Sequence, residues 1–247
     1  MLLPFTFSDL RFTVSNNVAL ITGASRGIGH HLARHLYAQG YHLILLARNA
    51  QALERLAADF DACRVQTLAL DVCDHTDVSQ RVSQALSHSG RLDVLINAAG
   101  IFRQGSTATS LADFSALLAT NVTAIHHLCQ LCTPWLQKSA EGRIFNLASV
   151  SGVQPFGSVG SYAASKHALV GYSRSIAREL GTLGIKVTTL CPDVVDTDMA
   201  AGSGLAGDDM LSTADICRAV DFVMSLSPAA VVEQLIIGRR QRPRQNV

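Results

Sequence analysis

Charge is scarce in this 247-residue chain. Asp, Glu, Lys and Arg make up 16% of it, the net charge is +1, and lysine occurs only at positions 138, 166 and 186. So weak a field gives no global attraction for nucleic acid or an anionic membrane, and neither is expected as a partner. Long apolar runs are missing as well: no stretch approaches the roughly 18 residues of a membrane span. The opening Met1-Leu-Leu-Pro-Phe-Thr-Phe-Ser-Asp9 lacks the basic start of a signal peptide, and Pro4, Thr6, Ser8 and Asp9 break its apolar residues. The cysteines, at 63, 73, 129, 132, 191 and 217, have no secreted-scaffold spacing, so reduced thiols are expected. Cys129 and Cys132 form a CxxC inside a helical pattern, with no second pair to complete a zinc site. His31 and His35 share a helix face without an accompanying carboxylate motif, and no metal is expected. Together these absences lead us to expect a cytoplasmic protein.

What is present is apolar. Hydrophobic residues reach 48%, which suits a buried sheet rather than disorder. Val18–Thr22, Leu43–Ala47, Gln66–Leu70, Val94–Asn97, Ile144–Ala148, Val187–Leu190 and Leu235–Ile237 predict seven strands. Most are continuously apolar, as strands covered on both faces are. Helical patterns alternate with them near 27–39, 50–58, 75–88, 111–137, 159–181 and 213–225. Strict alternation predicts an α/β, doubly wound Rossmann fold: a seven-stranded parallel sheet with helices on both faces and a ligand crevice at the carboxyl ends of the strands. Length and the lack of repeats or linkers predict one domain over 1–247. It would carry an N-terminal extension at 1–16, a glycine-rich excursion at about 196–212 placed as a substrate lid, and a basic tail at 239–247. Arg239, Arg240, Arg242 and Arg244 crowd that tail, which reads as a solvated terminus.

Thr22-Gly23-Ala-Ser25-Arg26-Gly27-Ile28-Gly29 follows the first strand and opens a helix. In that context Gly23 permits a sharp turn, Gly27 a close approach of backbone to a pyrophosphate, and Gly29 tight helix–strand packing. The helix N-terminus adds amides and a partial positive charge. An NAD site carries an acidic residue at the end of the second strand, but here that strand ends Ala47-Arg48-Asn49. Arg48 and Arg26 can instead pair with a 2′-phosphate, so NADP(H) is the expected cofactor. Asp71 ends the third strand, where it can accept a hydrogen bond from adenine, with Val72 against the ring. Asn97-Ala98-Ala99-Gly100 closes the fourth with small residues where the backbone must pass near the cofactor.

Tyr162 and Lys166 stand one helical turn apart, thirteen residues and more beyond Ser149. A tyrosine titrates near pH 10, too high for neutral catalysis, and a nearby ammonium is expected to lower that value. Phenol, ammonium, a serine at a strand end and a phosphate-binding turn together point to transfer of a hydride and a proton between a nicotinamide and an alcohol or carbonyl.

From about Asn17 to Gly238 the chain resembles the short-chain dehydrogenase/reductase family. The matching residues are Thr22-Gly23-x3-Gly27-x-Gly29, Asp71, Asn97-Ala-Ala-Gly100, Asn121, Ser149, Tyr162-x3-Lys166, and Pro192 with Thr197. The resemblance implies that Tyr162 is the general acid in reduction and base in oxidation, and that Ser149 holds the substrate oxygen. Lys166 would hold the nicotinamide ribose and lower the Tyr162 pKa, while Asn121 anchors a water leading to Lys166. Pro192, Val195 and Thr197 would contact the nicotinamide end. The family also implies a homodimer or homotetramer paired through the helices carrying Asn121 and Tyr162.

Two departures stand out. Cys191-Pro192-Asp193 puts a carboxylate where the family commonly has Pro-Gly, and the chain lacks the Gly-Gly close common in carrier-protein ketoacyl reductases. Ala140 and Leu183 align where those enzymes often carry arginines. The expected function is therefore an NADP-dependent oxidoreductase acting on a small-molecule carbonyl or alcohol (EC 1.1.1.-). The alternatives are a 3-oxoacyl-(acyl-carrier-protein)-type reductase and a non-catalytic dinucleotide-binding redox sensor. Arg103, Val150, Gln154, Phe156, Asp193 and the excursion from Met199 to Met210 are the residues expected to face substrate. Asp193, Asp196, Asp198, Asp208 and Asp209, with no lysine or arginine among them, predict a preference for neutral or cationic substrates.

Overall fold

A computed structural model describes residues 17–240. The expected extension at 1–16 and the tail from 241, with Arg242 and Arg244, lie outside the described residues. Seven strands, β1 (Val18–Thr22), β2 (His42–Ala47), β3 (Val65–Ala69), β4 (Val94–Asn97), β5 (Arg143–Leu147), β6 (Lys186–Pro192) and β7 (Gln234–Ile237), form one sheet in the order β3-β2-β1-β4-β5-β6-β7. Every neighbouring pair is parallel. Helices α1 (Gly27–Ala38), α2 (Ala50–Ala57), α3 (His75–Ser89), α4 (Leu111–Leu118), α5 (Ala124–Leu136), α6 (Gly160–Gly181) and α7 (Thr213–Ser225) connect them.

The strands are apolar throughout because both faces are covered. Successive residues point to opposite sides. Val18, Leu20, Ile44 and Leu46 pack into one core with α3, α5 and α6. Ala19, Ile21, Leu43 and Leu45 pack into the other with α1, α2 and α7. Cys129, Cys132, Cys191 and Cys217 are buried free thiols in these cores. The chain winds outward from β1 to β3, then returns to place β4 beside β1. That reversal opens a crevice at the carboxyl ends of β1 and β4.

Apolar periodicity predicts a single helix over 111–137. The structure instead breaks it with a π-helical turn at Ala119–Thr123, between α4 and α5. Such turns insert a residue and re-aim a side chain, often at a functional site. Asn121 lies at the centre of this one and is fully buried. No described helix is long and apolar enough to cross a membrane. Among the described residues no group of three or more His, Cys, Asp or Glu stands close enough to hold a metal. His35 pairs with Asp221 of α7, and His31 bonds the Gly27 carbonyl oxygen.

Candidate active site

The turn after β1 needs its glycines. Gly23 and Gly27 have φ of +68° and +56°, a region that side chains rarely adopt. A Cβ on Gly23 would lie 2.8 Å from the Ala99 nitrogen, and one on Gly29 would lie 2.5 Å from the Gly23 oxygen. The turn therefore rests on the end of β4. Thr22 fastens it there, its Oγ1 accepting from the amides of Ala98 (3.1 Å) and Ala99 (3.0 Å). Ser25 and Ile28 are half-buried within it. Helix α1 begins at extended Arg26 with no side-chain cap and no acidic residue in its first turn. Its leading amides lack a side-chain acceptor, an arrangement suited to an anion. Thr197 approaches from the far side: a Cβ on Gly27 would lie 3.4 Å from its Cγ2. Between them opens a cavity of about 520 Å³ lined by Gly27, His31, Thr197, Asp198 and Met210, among others.

The two arginines flank this turn. Arg26 Nη1 lies 3.5 Å from Asp198, and Arg48 Nη1 lies 4.0 Å from Asp71, all with substantial exposure. Asp71 also accepts from the Cys73 amide at 2.9 Å, while Val72 is buried. Asn97 turns into the protein and donates to Asn146 (2.8 Å), which donates to Ser173 of α6 (2.9 Å). It thereby ties β4, β5 and α6 together beneath Ala98, Ala99 and Gly100.

Ser149, Tyr162, Lys166 and Asn121 lie beyond the ends of β5 and β4. Ser149 follows β5, and its Oγ accepts from the Ser151 amide at 3.1 Å. That leaves its hydroxyl proton free to donate elsewhere. Tyr162 and Lys166 rise from the first and second turns of α6 and are buried. Lys166 Nζ donates to the Leu147 oxygen (2.7 Å) and stands 5.7 Å from the Tyr162 ring centre. Asn121 accepts from Ile101 N (2.9 Å) and donates to Ile101 O (3.0 Å) and Ser165 Oγ (3.0 Å). A Cβ on Gly100 would meet Asn121 Oδ1 at 3.3 Å and Lys166 Nζ at 3.7 Å. The backbone at Gly100 thus passes close to both side chains.

Electrostatics here differ from the sequence expectation. Burial pushes the Tyr162 phenol up to about 12, opposed by its hydrogen bond with Ser149. Burial pushes the Lys166 ammonium down to about 8, with the Cys191 thiol acting the other way. Proximity to a lysine predicted a lowered phenol. Desolvation dominates instead, and the buried ammonium is directed at the Leu147 carbonyl.

Residues 17–206 match the family described as short chain dehydrogenase. The chain belongs to that family. An uncharacterized oxidoreductase of Staphylococcus epidermidis is 30% identical over 91% of this chain and 97% of its own. A meso-2,3-butanediol dehydrogenase of Serratia marcescens is 32% identical over 76% of this chain and 74% of its own. Among solved structures, ElxO with NADP bound superposes with a TM-score of 0.80 at 25% identity, covering 90% of this chain and 96% of that one. A beta-ketoacyl-[ACP] reductase (FabG) from Bacteroides thetaiotaomicron gives 0.79 at 32% identity, covering 91% and 97%.

The residues expected to face substrate differ in exposure and partners. Arg103 is exposed, its Nε donating to Asp113 at 2.9 Å. Gln154 and Phe156 are exposed, whereas Val150 is buried. Asp193 keeps a negative φ, since among the described residues only glycines have positive values. Its Oδ1 accepts from the Val194 amide (2.8 Å), and its carboxylate pairs with Arg239 at 3.4 Å. The unusual carboxylate at 193 is thus paired with the first arginine of the basic tail. Pro192 ends β6, and Val195 bridges to Leu211 across the base of the 196–212 segment. The charge expectation also changes. Asp193 and Asp198 are offset by arginines, and Arg103 is offset by Asp113.

Some neighbours of the site carry no sequence motif. Phe102 sets its ring edge-on to Tyr162 with centroids 5.1 Å apart. Ser106 bonds the start of α6. Only the spatial meeting of two distant segments reveals either one.

Proposed function

We propose that this chain is an NADP(H)-dependent reductase of small, neutral carbonyl compounds, able to run in reverse as an alcohol dehydrogenase. One arrangement carries the reading: Asn121 and Lys166 meet beside Gly100, Lys166 stands 5.7 Å from the Tyr162 ring centre, and Tyr162 bonds Ser149, all at the carboxyl ends of the strands, where the glycine turn also lies. A bare dinucleotide sensor would need the turn but not those four together.

The site fits the cofactor, since the cradle at Gly23, Gly27 and Gly29 leaves no room for side chains at the first and last of these. The turn and first amides of α1 would hold the pyrophosphate, Arg26 and Arg48 the 2′-phosphate, and Asp71 and Val72 the adenine. Lys166 would hold the nicotinamide ribose, with Asn97 to Gly100 beside the cofactor and Pro192, Val195 and Thr197 at its nicotinamide end. NADPH, when bound there, would supply a hydride. Tyr162 Oη donates the proton to the carbonyl oxygen, and the Ser149 hydroxyl, bonded to Tyr162 before substrate arrives, holds that oxygen in place. A phenol held up near 12 stays protonated across neutral pH, the form that reduction requires. The Lys166 ammonium opposes the cost of the buried phenolate left behind. Asn121 fixes the Ile101 backbone and Ser165 of α6, and so sets the distance between the two halves of the site. Dimers or tetramers paired through α5 and α6 complete the reading.

A carrier-linked 3-oxoacyl substrate is the second reading, favoured by the 32% identity to the Bacteroides reductase. Against it, Ala140 and Leu183 are exposed and offer an acidic carrier no cation at those positions. Initial rates of NADPH oxidation with matched neutral, carboxylated and carrier-linked ketones separate these readings. Neutral ketones should have the highest kcat/KM. A higher value for the carrier-linked substrate would replace the first reading with the second. Tight NADPH binding without turnover of any carbonyl or alcohol would point to a sensor.

A further inference from the structure

Helix α6 carries Tyr162 two residues from its first residue, Gly160, yet the residue before it cannot cap it. Val159 has no side-chain acceptor, and no side-chain cap bond is made there. First-turn amides need acceptors. Here the acceptor comes from another segment, the loop after β4. Ser106 Oγ accepts from the Gly160 amide (2.7 Å) and donates to the Gly157 oxygen (2.6 Å). The Ser161 hydroxyl donates to the Ser106 oxygen at 3.1 Å. Backbone bonds from Gly105 N to Ser158 O (2.8 Å) and from Ser161 N to Gly105 O (3.3 Å) flank that exchange.

Two glycines make the joint possible. Gly105 has φ +125°, and a Cβ there would meet Thr109 Oγ1 at 2.8 Å. A Cβ on Gly160 would meet Ser106 Oγ at 2.5 Å. The same loop is anchored at two further points. Asn121 holds Ile101 through both of its backbone groups, and Arg103 bridges the Phe102 oxygen (2.9 Å) to Asp113 of α4 (2.9 Å). Between these anchors Phe102 presses edge-on against the Tyr162 ring.

The geometry points to Ser106 as a positioning residue for Tyr162: it caps α6 from the β4 loop and, with Phe102 against the ring, sets where the phenol oxygen stands. This rests on Tyr162 being the proton donor proposed above. Displacing a donor by about 1 Å can cost roughly 100-fold in rate. Ser106→Ala should therefore lower kcat for ketone reduction about 10–100-fold. The NADPH dissociation constant should stay unchanged, and the solvent deuterium isotope effect on kcat should rise as proton transfer becomes limiting. Phe102→Leu leaves the cap intact and should give the same kcat-selective loss, which keeps the test available if Ser106→Ala does not fold. A kcat within twofold of wild type in the folded variants would overturn the proposal, as would a fall in kcat matched by equal weakening of NADPH binding. The parent variant Tyr162→Phe separates the two levels. If it abolishes turnover while Ser106→Ala and Phe102→Leu behave as wild type, only the positioning role fails. If Tyr162→Phe itself remains active, the proton-donor reading fails with it.

Discussion

Replacing Arg48 by alanine puts the NADP preference to a quantitative test. Arg48 stands just past β2, where no carboxylate competes for a ribose hydroxyl, and its guanidinium is exposed with Asp71 at 4.0 Å. An exposed pair of that kind is worth about 0–1 kcal/mol, so Arg48 leaves it at little cost. A charge-assisted bond to a phosphate contributes about 1.5–3 kcal/mol. The net loss on removing Arg48 is then about 0.5–3 kcal/mol, which is a rise of about 2–150-fold in KM for NADPH. NADH carries no 2′-phosphate, so its KM should move less than about twofold, a shift of under about 0.4 kcal/mol. Arg48→Lys should fall between wild type and alanine, because an ammonium keeps the charge but not the two-pronged geometry. Initial-rate kinetics with each cofactor at saturating ketone give both numbers. Equal losses for NADPH and NADH, or a wild-type enzyme that prefers NADH, would refute the reasoning.

Two further outcomes follow from the site. Burial pushes Lys166 down to about 8 and Tyr162 up to about 12, so the ammonium is present below about pH 8 and lost above it while the phenol stays protonated. The kcat/KM for NADPH in the reductive direction should accordingly fall on an alkaline limb near pH 8, and a profile flat well beyond that would show that another group governs the site. Gly29→Ala forces a Cβ to 2.5 Å from the Gly23 oxygen and 3.0 Å from the Thr22 oxygen, both backbone atoms with no freedom to swing aside. A loss of about 1–3 kcal/mol is expected, or roughly 2–12 °C in Tm, together with weaker NADPH binding; an unchanged melting curve would contradict this packing.

Much of this was legible in the sequence, for physical reasons that also mark the boundary of what was not. The strands were readable because a sheet covered on both faces forces unbroken apolar runs, and each predicted strand falls within two residues of the observed bounds. The π turn at Ala119–Thr123 left no trace, since one inserted residue does not disturb the apolar stripe of α4 and α5 enough to see. The glycine turn was readable because only glycine tolerates positive φ and backbone contact at Gly23. Ion pairs were not. Arg103 was expected to face substrate but binds Asp113, a choice fixed by the fold of 101–113 rather than by residue type. Asp193 and the missing Gly-Gly close were each visible as oddities. The pairing of Asp193 with Arg239 depends on the β6–β7 register, in which Pro192 pairs with Ile237. Spacing shows the lysine near Tyr162 but not the depth of burial that pushes the phenol up. A cap supplied to α6 from Ser106, 54 residues away, is likewise beyond any local pattern.

The central claim is that Tyr162 delivers the proton in an NADPH-dependent reduction. Tyr162→Phe keeps the ring packed against Phe102 and removes only the hydroxyl. The decisive measurement compares this variant with wild type for ketone-dependent NADPH oxidation and for NADPH binding by fluorescence. The account predicts that turnover is abolished while the dissociation constant for NADPH is unchanged. Near-normal turnover in Tyr162→Phe would contradict it.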